Sequence, residues 1–271
     1  MSADLIWGWS ALAFAALAPA ALWAGRVDRR RLSGASVWAK PFKFALSLAI
    51  HYATFAVILR FMREDDRQSA GIVILAAASS AAGACELAYI ALQAARGRPS
   101  HFNDSTAVEA VAALLMGVGA LIVIAPAAAI GLALIAAPPA AWPAAVTAGA
   151  AAGLIGGTAL TVWTASRMGA VRSHFATGEP VSDRAMPITG WSLDGADLRP
   201  AHFLATHMMQ ALPIAGLIAA GTLPPSAALV ATLLAAIVWT AMTAALFRRT
   251  VKGSSLSAIL GMGPRPRARR G

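Results

Sequence analysis

The chain has 271 residues, of which 58% are hydrophobic and only 13% charged. A soluble domain carries roughly a quarter charged residues, so this composition excludes a protein wetted all over. It fits a polytopic membrane protein, in which one span takes about 20 apolar residues. The net charge of +10 does not point to nucleic acid, because the Lys and Arg residues stand between apolar runs, where charge sets topology. A lone cysteine, Cys85, excludes an intramolecular disulfide and a Cys-based zinc site and reads as a small packing residue.

The first apolar run, Leu5 to Ala24, reads as a retained span. A signal peptide needs positive charge before its apolar core; here Asp4 precedes the run, and Arg26, Arg29, Arg30 and Arg31 follow it. Six further spans are expected at about 41–61, 70–94, 107–136, 144–165, 201–221 and 225–247, followed by a basic, disordered cytoplasmic tail over 248–271. With the N-terminus outside, segments 25–40, 95–106, 166–200 and the tail, together with Lys43, hold 19 of the 22 Lys and Arg residues. That segregation is the positive-inside pattern. Arg60, Arg63 and Arg67, left outside, are balanced by Glu64, Asp65 and Asp66. The expected fold is therefore an all-α polytopic bundle of seven transmembrane helices in a bacterial inner membrane, with the C-terminus inside.

In the third span Ser79, Glu86 and Gln93 are seven apart and share one helical face. The long fourth run contains Pro126, where a kink or a tilt is expected. In the fifth, Gly149, Gly153 and Gly157 line one face, where another helix can approach closely. The polar segment 166–200 is too short for a core of its own and is expected to fold over the inner face. In the sixth, His207 and Gln210 share a face, as do Ser47 and His51 in the second. The tail sequence Pro264–Arg270 would lie near anionic lipid. Ser100-His101-Phe102 and Ser173-His174-Phe175 are too short a match to mark an internal repeat.

By the helical rise of about 1.5 Å per residue, Glu86 lies roughly 15 Å, and His207 and His51 roughly 12 Å, from the basic ends of their spans. A charge at mid-bilayer costs at least about 2.5–3.5 kcal/mol, so intramembrane ionisable groups mark functional sites. Glu86 facing His207 is the expected proton relay. Gln93, Arg96, His101, Asn103, Asp197, Arg199, His202 and Gln210 would line a small-molecule cavity open to the cytoplasm. For Glu86 and His207 the plainer reading is a buried polar lock between helices; for Lys40 and Lys43 it is fixing topology. His202 and His207 are five apart, about 140° around the helix, so they diverge and make no zinc site. Axial haem ligation, with His207 opposite His51 or His101, stays open.

The segments Lys40-Pro-Phe-Lys43-Phe44, Gln93-Ala-Ala-Arg96-Gly-Arg-Pro-Ser100-His101-Phe-Asn103, Gly190-Trp191-Ser192 and Asp197-Leu-Arg199 through Pro213 resemble a widespread, uncharacterised family of bacterial seven-span integral membrane proteins. The likeness runs from the second span to the sixth, and His51 and His174 lie outside its segments. It implies the topology and a candidate site rather than a reaction. Three functions follow from the polar residues: a proton-linked carrier of a small solute, a membrane-embedded redox enzyme using haem, a metal or a quinone, and a non-catalytic subunit or sensor.

Overall fold

Backbone groups in hydrocarbon have no water to bond, so an apolar run that crosses a bilayer must satisfy them internally as a helix. The computed structural model describes residues 1–32, 34–178 and 184–262. In chain order these form α1 (Ala3–Val27), a two-stranded hairpin of β1 (Arg31–Leu32) and β2 (Ala35–Ser36), α2 (Ala39–Arg60), the short α3 (Glu64–Gln68), α4 (Ala70–Arg96), α5 (Ala107–Ala136), α6 (Ala144–Val171), α7 (Arg199–Thr222), α8 (Pro225–Val251) and the short α9 (Leu256–Ile259). Among the described residues, α1, α2, α4, α5, α6, α7 and α8 are the seven helices long and apolar enough to cross a membrane. The chain is an all-α, multi-pass membrane protein.

The helices keep the expected order and extend several of the expected ends. The first residues of the expected tail are structured. The last span runs on to Val251, and α9 docks where Ser257 donates its backbone N–H to the Leu193 carbonyl at 2.8 Å. Residues 248–262 are thus packed onto the bundle and do not hang free. Pro264–Arg270, expected near anionic lipid, falls outside the described residues.

Packing follows a simple path. α1 and α4 both lie against α2, α4 then packs on α5, α5 on α6, and α6 on α7 and α8. Trp7, Phe14, Tyr52, Phe55, Ile130, Leu154 and Met209 meet in one buried core, with much of the outer apolar surface left for lipid. The glycine ladder of α6 faces α7: a Cβ on Gly153 would stand 2.7 Å from the Met208 carbonyl oxygen, and one on Gly149 would press on the Leu212 carbonyl. Only the absence of side chains lets the two backbones come so close. α5 continues through Pro126 without a break.

At the end of the bundle that carries Arg60 and Arg67, the expected charge balance is partly replaced. Arg63 pairs with Asp65 at 3.5 Å, but Arg60 and Arg67 reach back to the buried Asp4 of α1 at 3.6 and 3.7 Å. The opposite, basic end gathers the start of α2, the end of α4 and the start of α7. The loop after α6 doubles back there. Phe175 bridges Asp197, the Leu198 N–H donates to the His174 carbonyl, and Lys43 Nζ donates to the Thr189 carbonyl at 3.0 Å. Segment 184–198 thus lies across this end.

Candidate functional site: a buried polar track along the fourth helix

The seven-residue spacing on α4 places Ser79, Glu86 and Gln93 on its buried face, with Glu86 only 4% exposed. Ser79 is fully bound: its Oγ accepts from Trp7 Nε1 at 3.0 Å and its carbonyl accepts from the Tyr52 hydroxyl. Glu86 is not. Its Oε2 is buried without a hydrogen-bond partner. Its Oε1 faces Gly119 of α5, where a Cβ would come within 2.5 Å. The charge it feels is Lys40, at the start of α2. Gln93 donates to the Tyr89 hydroxyl at 2.7 Å, while its Oε1 is also buried without a partner. An unpaired buried polar atom costs about 1–3 kcal/mol, so two on one face mark a place where the fold keeps polarity at the expense of stability.

The track ends at Glu109, a residue outside the expected site. The Thr106-x-x-Glu109 pattern reads as a helix start, and Thr106 does cap α5 by accepting from the Glu109 N–H. The Glu109 carboxylate, however, receives Arg98 at 3.0 Å, with Arg96 at 3.8 Å and a hydrogen bond from Ser105. The left-handed Gly97 (φ 66°) ends α4 and lets the chain turn so that Arg98 reaches it. Arg96 therefore holds a loop together. Asn103 does the same, donating to the Pro99 carbonyl at 3.2 Å and accepting from the Ser105 N–H.

The direct facing of Glu86 and His207 does not occur. α4 packs against α1, α2 and α5, whereas α7 packs against α6 and α8, so the third and sixth spans are not packing neighbours. His207 Nδ1 donates to Gln210 Oε1 at 3.1 Å, and Gln210 Nε2 donates to the Thr54 hydroxyl of α2 at 3.0 Å. Between the two halves stands His51, buried on α2, its Nε2 donating to the Val123 carbonyl at 3.1 Å. Val123 lies one turn from Gly119 on α5, so Glu86 and His51 meet the same face of that helix. His51 and Thr54, the residue that Gln210 reaches, are three apart on α2 and share a face. The two expected half-sites are thus linked through α2, by His51 toward α5 and Thr54 toward α7.

At the basic end the expected residues fall into separate local groups. Asp197, 3% exposed, accepts from the Ser192 and Arg199 N–H groups and binds the Arg199 guanidinium at 2.6 Å, so this pair closes within one segment instead of bridging a cavity. Arg199 also donates to the Gly190 carbonyl at 3.0 Å and lies over the Phe175 ring. His202 shares a 2.8 Å hydrogen bond with Thr164 of α6. His101 is packed between Phe44 and Phe102, and Phe102 in turn contacts His174. Burial, together with Lys40 and His174 nearby, pushes the His101 imidazole down to about 3. Burial, with Arg199 and Lys40 nearby, pushes His174 down to about 4. Both rings are neutral at physiological pH.

For the haem reading, His51 offers no free Nε2, since that atom is bonded to Val123. Among the described residues no three His, Cys, Asp or Glu side chains converge as a metal site. The chain matches no family model, no curated protein and no solved structure. Lys40, His51, Glu109 and His174 are the residues of this region that sequence reasoning undervalued. Lys40 reads as a topology residue, Glu109 carries no motif that marks it for a site, and His51 and His174 stand outside the resembling segments.

Proposed function

We propose that the chain is a proton-linked carrier of a small solute, in which Glu86 takes up and releases the coupling proton. One observation carries this reading: Glu86 is a 4%-exposed carboxylate on a membrane-spanning helix, its Oε2 without a hydrogen-bond partner, and among the described residues Lys40 is the cation whose charge acts on it. A structural lock would be expected to satisfy both oxygens, because a half-satisfied buried network is costly. A carboxylate that alternates between an anion and a neutral acid is not committed to a fixed partner. The glycine surface of α5 at Gly119 leaves room for the carboxyl group.

The segregation of Lys and Arg supports an orientation with the N-terminus outside and the basic end in the cytoplasm of a bacterial inner membrane. In that orientation Gln93, His101, Asp197 and Arg199 lie on the solute path at the inner face, with the 184–198 segment lying across it. The likeness to the bacterial seven-span family is part of the same proposal.

The test is proton flux in proteoliposomes loaded with a pH-sensitive dye, challenged in turn with inward gradients of small organic acids, amines and sugars. At least one solute is expected to acidify the lumen, and Glu86→Gln is expected to abolish that signal. Solute flux that proceeds unchanged in Glu86→Gln would remove Glu86 from the mechanism.

A further inference from the structure

Three cations crowd the basic end of the bundle. Lys43 and Arg199 donate to the adjacent carbonyls of Thr189 and Gly190, at 3.0 Å each. Lys40 stands one turn before Lys43 and Phe44 on α2, Phe44 packs on His101, and the charges of Glu86, Lys43 and Arg199 act on Lys40. Arg199 has Asp197 as its counter-ion, and among the described residues Lys43 hydrogen-bonds only to a carbonyl, with Asp197 acting on it from further off. Among the described residues, the Lys40 ammonium has neither a hydrogen bond nor an ion pair, although it is half-buried and could use three acceptors. Like charges gathered in a partly desolvated place repel one another. The fold keeps them there nonetheless. The positive ends of the α2 and α7 dipoles lie at the same end and add to the field.

The neighbours are suited to an anion as well. His101 and His174 are tied through Phe102, and His174 Nδ1 is buried without a partner. A neutral imidazole can donate one hydrogen bond to an oxyanion without adding charge. The backbone pairing of 174–176 with 196–198 fixes His174 beside Arg199.

We propose that Lys40, flanked by Lys43, Arg199, His101 and His174, binds a small oxyanion, a carboxylate or phosphate group, at the basic end of the bundle. Lys40 is the group that the ligand pairs with, and Arg199, already fixed by Asp197 and Gly190, orients it. The ligand is a free solute and not a lipid headgroup. The site lies under the 184–198 segment, and Lys43 and Arg199 are turned toward that segment's carbonyls. This inference deepens the carrier reading, on which it rests for treating the ligand as cargo. A bound anion would compete with Glu86 for Lys40, so anion binding would favour protonation of Glu86 and link the two events.

The experiment is equilibrium dialysis of the full chain in nonionic detergent with radiolabelled orthophosphate and, separately, radiolabelled acetate. Saturable binding of at least one probe is expected. Lys40→Gln is expected to weaken it by roughly tenfold or more, the usual scale for losing one charge-assisted bond. Lys40→Arg should retain it to within a few-fold, and Lys252→Gln should leave it unchanged. Thermal unfolding of each variant shows whether it is folded; the Lys40→Arg result and the wild-type isotherm decide the matter if Lys40→Gln is not. The inference is overturned if the wild type binds neither probe saturably, or if folded Lys40→Gln binds as the wild type does. It is also overturned if phosphatidylglycerol displaces the probe and itself binds in a Lys40-dependent way, which would make this a lipid headgroup site. Binding is read at equilibrium without flux. Anion binding can therefore fail while Glu86-dependent proton flux persists, and the reverse.

Discussion

Glu86 and Gly119 face each other so closely that a Cβ on Gly119 would stand 2.5 Å from Glu86 Oε1. The absence of a side chain on α5 is what gives the buried carboxylate its place between α4 and α5. The obstructing atom is the end of a flexible side chain, so Gly119→Ala is expected to move the carboxylate without separating the helices. Glu86-dependent proton flux should fall by about tenfold or more, since misplacement by an ångström has effects of that order or larger. The unfolding temperature should change little. Dye-loaded vesicles and a thermal melt give the two readings, and full flux in a folded Gly119→Ala protein would show that the position of the carboxylate is unimportant.

The glycines of α6 make the opposite case. At Gly149 and Gly153 an added methyl group meets the carbonyl backbone of α7, which cannot swing aside. Gly149→Ala and Gly153→Ala are each expected to cost about 1–3 kcal/mol, the range for overpacking. Gly117→Ala, where nothing lies within 4 Å, should cost nothing measurable. Unfolding titrations in detergent check the contrast.

Acid should destabilise the fold through the two loop histidines. An unfolded imidazole titrates near 6.5, whereas His174 is held at about 4 and His101 at about 3. Below 6.5 the unfolded chain therefore binds protons that the folded chain refuses, and stability falls as pH falls toward those values. The slope is at most about 1.4 kcal/mol per pH unit for each histidine. Above 6.5 neither group contributes any pH dependence. His174→Gln should flatten the fall between 6.5 and about 4 while leaving the melt at neutral pH nearly unchanged. A wild-type melting temperature that stays level over that window would contradict the burial of both rings.

Much of this architecture could be read from the residues. The spans were legible because the thickness of hydrocarbon forces a run length, and the boundaries of α5 at 107 and 136 came directly from the apolar pattern. The buried face of Ser79, Glu86 and Gln93 was legible because sevenfold spacing fixes a helical face whatever the helix packs against. The partner of that face was not. Span order does not state which helices touch, and hydropathy is blind to α2 standing between Glu86 and His207. The glycine ladder announced a close helix but not that it would be α7. Lys40 and His174 were undervalued for a related reason. Their significance comes from meeting Arg199 and one another in space, over separations of more than 100 residues in the case of Lys40.

The central claim is that Glu86 gains and loses a proton inside the folded bundle. The most direct measurement is infrared difference spectroscopy of the protein in lipid membranes, titrated over pH and read in the carboxyl C=O region, with the wild type compared against Glu86→Gln. The account predicts a band of a protonated, poorly solvated carboxyl group that appears as pH falls in the wild type and is missing from Glu86→Gln. Superimposable spectra from the two proteins throughout the titration would contradict it.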